Sequence, residues 1–128
     1  MRPLCEFPQE DLRKIKFILT DIDDTLTTNG RLPAKSYHAL EKLHQADIKV
    51  IPITGRPAGW CDHIARMWPV DAVVGENGAF YFLYEKSKCK IIRRYWKSKK
   101  ERTADRKRLE KIQKKILTTV KWSAVASD

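Results

Sequence analysis

Short apolar runs alternate along this chain with stretches whose apolar residues return every three or four positions. Residues 16–20 carry Phe17, Ile18 and Leu19 without polar alternation, which predicts a strand buried on both faces. Thr27, Thr28, Asn29 and Gly30 then supply turn chemistry. Pro33 opens a helix at a favoured early position, with Tyr37, Leu40, Leu43 and Ala46 at three-residue steps and Ala39 alongside. Residues 48–53 predict a second strand, closed by Thr54-Gly55-Arg56-Pro57. Trp60, Ile64 and Met67 mark the buried face of the next helix, which Trp68-Pro69 ends. Residues 71–74 predict a third strand, followed by the loop Gly75-Glu76-Asn77-Gly78.

This order predicts a βαβαβ unit, an α/β fold with a parallel sheet and right-handed crossovers. Ligands of such sheets bind beyond the carboxyl ends of the strands. Asp21 to Asp24, Thr54 to Arg56 and Gly75 to Asn77 all fall at those ends. From residue 80 the pattern changes. Residues 80–84 and 91–96 predict two antiparallel strands, and residues 101–120 a long helix with Leu109, Ile112, Ile116 and Val120 on one side. A division into residues 1–79 and 80–128 follows.

Charge sharpens that division. The formal net charge is +10, yet residues 85–121 hold 16 Lys and Arg against 4 Asp and Glu, while the remainder is close to neutral. Such a block could engage nucleic-acid phosphates, with Tyr95 and Trp96 nearby for stacking. The apolar stripe of the same helix favours a solvated basic face instead, and no nucleic-acid-binding motif is present. Cys5, Cys61 and Cys89 form no C-x-x-C pair, which speaks against a zinc site or disulfide framework and for a reducing, cytoplasmic setting. Neither a signal-peptide core nor an apolar run of membrane-spanning length is found. His38, His44 and His63 lack metal-ligand spacing and read as structural.

The chemistry concentrates in Asp21, Asp23 and Asp24, three carboxylates ending an apolar run. Asp21 and Asp23 point the same way in an alternating strand, and close carboxylates repel unless a cation or a shared proton holds them. Magnesium accepts one or two carboxylates together with waters and a phosphate. Asp21 could then act as a nucleophile, and Asp23 as the acid/base that protonates the leaving oxygen and later activates water. The bland alternative is an Asp-rich surface turn. A place after a buried strand and before two further strand-end loops favours the chemical reading.

Asp21-Ile22-Asp23-Asp24-Thr25-Leu26-Thr27 resembles the D-x-D-x-T first motif of the haloacid dehalogenase (HAD) superfamily of phosphatases. Thr54, in Ile53-Thr54-Gly55-Arg56-Pro57, resembles its second motif. Gly75-Glu76-Asn77-Gly78-Ala79 is similar to a loop of the subgroup (class IIB) with a large α/β cap after the third strand, which includes sugar-phosphate phosphatases. The resemblance spans residues 15–96. It implies a partial Rossmann-like (HAD-like) three-layer core with a parallel sheet, followed by the start of an α+β cap. It also implies hydrolysis of a small phosphorylated metabolite, a sugar phosphate, with Mg2+ as cofactor.

Carried over by position, Asp21 is the nucleophile and a metal ligand. Asp23 is the acid/base and lends its backbone carbonyl to the metal. The Thr54 hydroxyl and backbone N–H groups at Gly55 and Asp24 bind the phosphoryl oxygens. Arg56 and Asn77 are substrate-binding candidates, against a helix-start salt bridge and a plain turn respectively. Thr25 is expected to fix the loop. The family's third-motif Lys or Arg and its acidic G-D-x-x-x-D cluster have no counterpart after residue 78, so the chain resembles the N-terminal half of a larger hydrolase. Self-association, or complementation by a C-terminal half, is expected with that reading. The competing readings are an inactive remnant and a basic nucleic-acid-binding module.

Overall fold

A computed structural model describes residues 3–125. The first two residues of the polar lead-in and the last three of the second predicted segment lie outside the described residues. After a 3-10 turn (Leu4–Glu6), the elements run α1 (Gln9–Leu12), β1 (Phe17–Thr20), α2 (Ala34–Gln45), β2 (Lys49–Pro52), α3 (Ala58–Met67) and β3 (Val73–Gly75). They continue with β4 (Phe80–Glu85), β5 (Lys90–Tyr95) and α4 (Lys99–Thr119). The chain forms two compact units, one through Arg94 and one from Tyr95 onward.

In the first unit β1 and β2 pair in parallel, with Ile18 opposite Val50 and Leu19 opposite Ile51. A parallel bridge between Ile53 and Val74 carries the sheet on to β3. β3 pairs antiparallel with β4, and β5 adjoins β4. The βαβαβ order is thus present, with the hairpin extending the sheet at the β3 side. Parallel strands advancing in one direction through right-handed crossovers carry both helices on the same face. The Tyr37 hydroxyl of α2 accordingly donates to the Met67 carbonyl at the end of α3, at 3.3 Å.

On that covered face lies the core: Ile22, Cys61, Ile64, Ala65, Val73, Phe80 and Phe82, with Ala58, Trp68, Val70 and Ile91 packed against it. Phe80 and Phe82 stack at 4.4 Å between centroids. The buried stripe of α3 is therefore Cys61, Ile64 and Ala65, and not the expected Trp60, Ile64 and Met67; Trp60 and Met67 are 53% and 61% exposed. Small side chains let the helix approach the phenylalanines, for which an indole on that face leaves no room. Along α2 only Leu40 is fully buried. Burial of β1 on both faces is not found: Phe17 and Leu19 are 65% and 64% exposed on the face away from the helices.

The second unit is dominated by α4. Ser98 caps it with a capping box: the Glu101 N–H donates to the Ser98 hydroxyl at 3.3 Å, and the Ser98 N–H donates to the Glu101 carboxylate at 2.9 Å. The spacing of Ser98 and Glu101 explains why the helix starts earlier than residue 101. Arg102 lies over the Tyr95 ring at 3.7 Å. Among the described residues no helix is long and apolar enough to cross a membrane.

Candidate active site

At the carboxyl end of β1 the chain turns around one carbonyl. The N–H groups of Thr25, Leu26 and Thr27 donate to the Ile22 carbonyl at 3.4, 3.0 and 2.9 Å, and the Thr27 hydroxyl adds a fourth bond at 3.0 Å. Thr27 is buried, so this hydroxyl satisfies a polar group that water does not reach. Thr27 supplies the side-chain bond that fixes the loop, and Thr25, expected to fix it, contributes its backbone N–H. Ile22 points into the core, which leaves Asp21 and Asp23 on either side of it exposed to solvent. Asp24 adopts φ 55°, a left-handed conformation that Asp tolerates better than most residues, and this reverses the chain.

Thr54 follows β2 and is buried at 3% exposure. Its N–H donates to the Val74 carbonyl at 2.9 Å, and its hydroxyl accepts the Arg56 N–H at 3.2 Å. That bond uses a hydroxyl lone pair and leaves its proton available to an incoming acceptor. The loop after β3 closes onto the same segment. The Asn77 N–H donates to the Thr54 carbonyl and the Glu76 N–H to the Arg56 carbonyl, each at 3.1 Å. Glu76 and Asn77 both have positive φ, 46° and 54°, which turns two successive residues back over the β2 loop. A Cβ on Gly55 would meet the Asn77 amide at 3.3 Å, so the absence of a side chain at Gly55 keeps this approach open.

Arg56 joins the second loop to the first. Its Nε and one terminal nitrogen donate to the two oxygens of Asp23 at 3.1 and 2.5 Å, the fork geometry of a bidentate pair. The guanidinium also lies over the Trp60 ring at 4.5 Å, which gives that exposed indole a role other than core filling. Hydrogen bonding to Arg56 holds the Asp23 carboxyl below its ordinary value; burial opposes this and the Arg56 charge adds to it. Arg56 is raised in turn, chiefly by its bond to Asp23. Behind this layer Cys61 donates to the Arg56 carbonyl at 3.7 Å, and burial pushes its thiol up to about 11.

Asp23, Arg56, Thr54, Gly55 and Asn77 are thereby linked across three strand ends, with Asp21 at the head of the first loop. The Asp21 carboxylate has no hydrogen bond or ion pair with another described residue, while the Thr20 hydroxyl donates to the Asp21 backbone carbonyl at 3.0 Å. The sequence carries the signal for Trp60 as an aromatic four residues after Arg56, although periodicity alone places it in the core. Among the described residues no group of three or more His, Cys, Asp or Glu side chains could hold a metal ion. The hard oxygens of Asp21 and Asp23 still fit magnesium, which is bound through one or two carboxylates and keeps several waters.

A family model described as haloacid dehalogenase-like hydrolase matches residues 18–121. The structure is similar to that of a phosphatase of the haloalkanoate (HAD) superfamily from Bacteroides thetaiotaomicron: 28% identity, TM-score 0.51, 77% of this chain and 36% of that one covered. It is also similar in fold to a haloacid dehalogenase-like hydrolase from B. subtilis, with 23% identity, TM-score 0.51, and 70% and 31% of the two chains covered. The chain spans about a third of the length of these structures. No curated protein matches.

Proposed function

Since this chain belongs to the haloacid dehalogenase-like hydrolase family, we propose that its strand-end cluster serves a magnesium-dependent phosphomonoester hydrolase acting on a small phosphorylated metabolite, a sugar phosphate. The observation that carries the reading is the convergence of three loops: Asp23 is tied to Arg56, and Thr54 and Arg56 are tied to Asn77 and Glu76. An oxygen of Asp21 attacks phosphorus, the ester P–O bond breaks, and Asp23 protonates the departing oxygen. Asp23 then takes a proton from water, whose oxygen attacks the aspartyl phosphate and releases inorganic phosphate with Asp21 restored. Arg56 keeps Asp23 ionised before substrate arrives. Transfer of the guanidinium to the substrate's phosphate frees Asp23 to carry a proton.

The Thr54 hydroxyl and the N–H groups at Asp24 and Gly55 are the donors for the phosphoryl oxygens, where charge develops. Magnesium, held by the Asp21 carboxylate and the Asp23 carbonyl, would offset the repulsion between carboxylate and phosphate. The free Cys5, Cys61 and Cys89 thiols accord with a reducing, cytoplasmic setting. The test is hydrolysis of a generic aryl phosphate with magnesium, wild type beside Asp21→Asn. Loss of at least about 1000-fold in the variant is expected for a missing nucleophile. Equal rates in the two proteins overturn the proposal.

A further inference from the structure

The lysines of α4 stand where they oppose helix stability. The helix carries nine Lys and Arg against three acidic residues. Lys99 and Lys100 occupy its first turn, at the positive end of the macrodipole, while its last turn holds no basic residue. Lys107, Lys111 and Lys115 follow at four-residue steps and Lys114 lies three beyond Lys111, spacings at which like charges repel. The three carboxylates do not relieve this. Glu101 is taken by the Ser98 cap, Asp105 by Lys97 at 2.6 Å and Arg108 at 3.8 Å, and Glu110 by Arg106 at 3.3 Å. Among the described residues the ammonium groups of Lys100, Lys107, Lys111 and Lys114 have no ion pair, and all four residues are exposed.

These four lysines form one row. Lys100, Lys107 and Lys114 recur every seven residues, close to two full turns, with Lys111 beside them, and the row runs for roughly 21 Å along the helix. Between Lys100 and Lys107 the small side chains of Thr103 and Ala104 leave a hollow that Lys99 also lines. A small phosphorylated metabolite covers one or two of these cations; only an anion with charges repeated along its length meets them all. The apolar stripe of Leu109, Ile112, Ile116 and Val120 lies on the opposite side of the helix, about half a turn away. A helix lying in a bilayer buries its stripe and would turn this row to water, so the two features do not combine on a membrane. Trp96, 86% exposed, stands just before the Ser98 cap, at the end where Lys100 begins the row, and its indole offers a base a stacking face. We propose that the lysine row of α4 binds single-stranded nucleic acid by its phosphate backbone, with a base stacked on Trp96. Such binding reads charge rather than sequence, so it requires no recognition motif, and it leaves the apolar stripe free for packing.

The experiment is fluorescence anisotropy of a labelled oligothymidylate of about 20 nucleotides with the full chain, repeated across salt concentrations. A Kd of about 1–100 μM is expected at physiological salt. Each phosphate neutralised on a single strand contributes about 0.7 to the slope of log Kd against log salt, so the row accounts for a slope of about 3. Lys100→Gln, Lys107→Gln and Lys114→Gln combined should lower that slope by about 2. Glutamine is close to lysine in helix propensity, so this variant should keep its circular dichroism. Lys16→Gln, Lys35→Gln and Lys42→Gln combined remove the same charge from exposed positions of the first unit and should leave the slope unchanged. Trp96→Ala should weaken binding at least about 5-fold without changing the slope. Absence of binding at low salt, equal losses in the two triple variants, or indifference to Trp96→Ala overturns the proposal. So does tighter binding to phosphatidylserine vesicles than to the oligonucleotide.

Discussion

Gly75→Ala tests the packing behind the site. Gly75 has φ −113° and ψ 169°, extended backbone that any residue adopts, so conformational strain is not at issue. What matters is space. A Cβ there would lie 2.3 and 2.4 Å from ring atoms of Phe80 and 2.7 Å from the Cys61 sulfur. Neither neighbour can yield easily, because Cys61 is fully buried and Phe80 is stacked on Phe82 at 4.4 Å. Overpacking a core by one methyl costs about 1–3 kcal/mol. For a unit of this size that lowers the melting midpoint by roughly 4–24 °C. The assay is thermal unfolding followed by circular dichroism, extended to a cycle with Phe80→Leu. In the leucine background, without the ring, Gly75→Ala should cost less by at least about 1 kcal/mol, a coupling expected for residues in contact. A Gly75→Ala midpoint within error of wild type, or strict additivity in the cycle, refutes the reasoning. The Gly75 carbonyl also accepts the Ala79 N–H at 3.1 Å, so the same variant should disturb the Glu76–Asn77 loop over Thr54.

Asp23 has a lowered pKa, so the stability from its pair with Arg56 is present above the ordinary value of 3.8 and is lost as pH falls through the lower folded value. Half of its side chain is exposed, which limits the effect to within about 1 kcal/mol; Arg56→Ala should abolish this part of the acid dependence of the urea midpoint. A thiol reagent at mildly alkaline pH should label Cys5 and Cys89 but spare Cys61, whose thiol is buried and pushed up to about 11, until denaturant is added. Rapid labelling of Cys61 in the folded protein would contradict its packing against Phe80 and Gly75. Ser98→Ala removes the capping box of α4 and should cost about 0.5–2 kcal/mol, read as lost helical signal at the start of the thermal transition.

Much of the architecture is legible in local chemistry. Apolar runs ending in Asp21, Thr54 and Gly75 specify three strand ends, and Pro33 and Pro57 open the helices that connect them. A parallel sheet then follows from topology, because strands joined by helical crossovers must run the same way. That is enough to gather Asp21, Asp23, Thr54, Gly55, Arg56 and Asn77 at one edge before any coordinates are seen. The family follows from the same residues, and the match over residues 18–121 bears it out.

Tertiary structure decided what periodicity cannot. A helix wheel offers both Trp60 and Cys61 as core positions; Phe80 and Phe82, distant in sequence, select Cys61 and turn Trp60 outward beneath Arg56. An apolar run states that a strand can be buried on both faces, not that a second layer exists to bury it, and Phe17 and Leu19 remain exposed. Likewise, nothing in the sequence around Asp23 announces Arg56 as its partner, since the pair spans 33 residues and forms only when β1 and β2 lie side by side. The sequence by itself determined the strand ends and the residue types that stand at them. Which carboxylate is held, by which cation, and which face of the sheet is left open were settled by long-range packing, because those contacts join residues with no local relation.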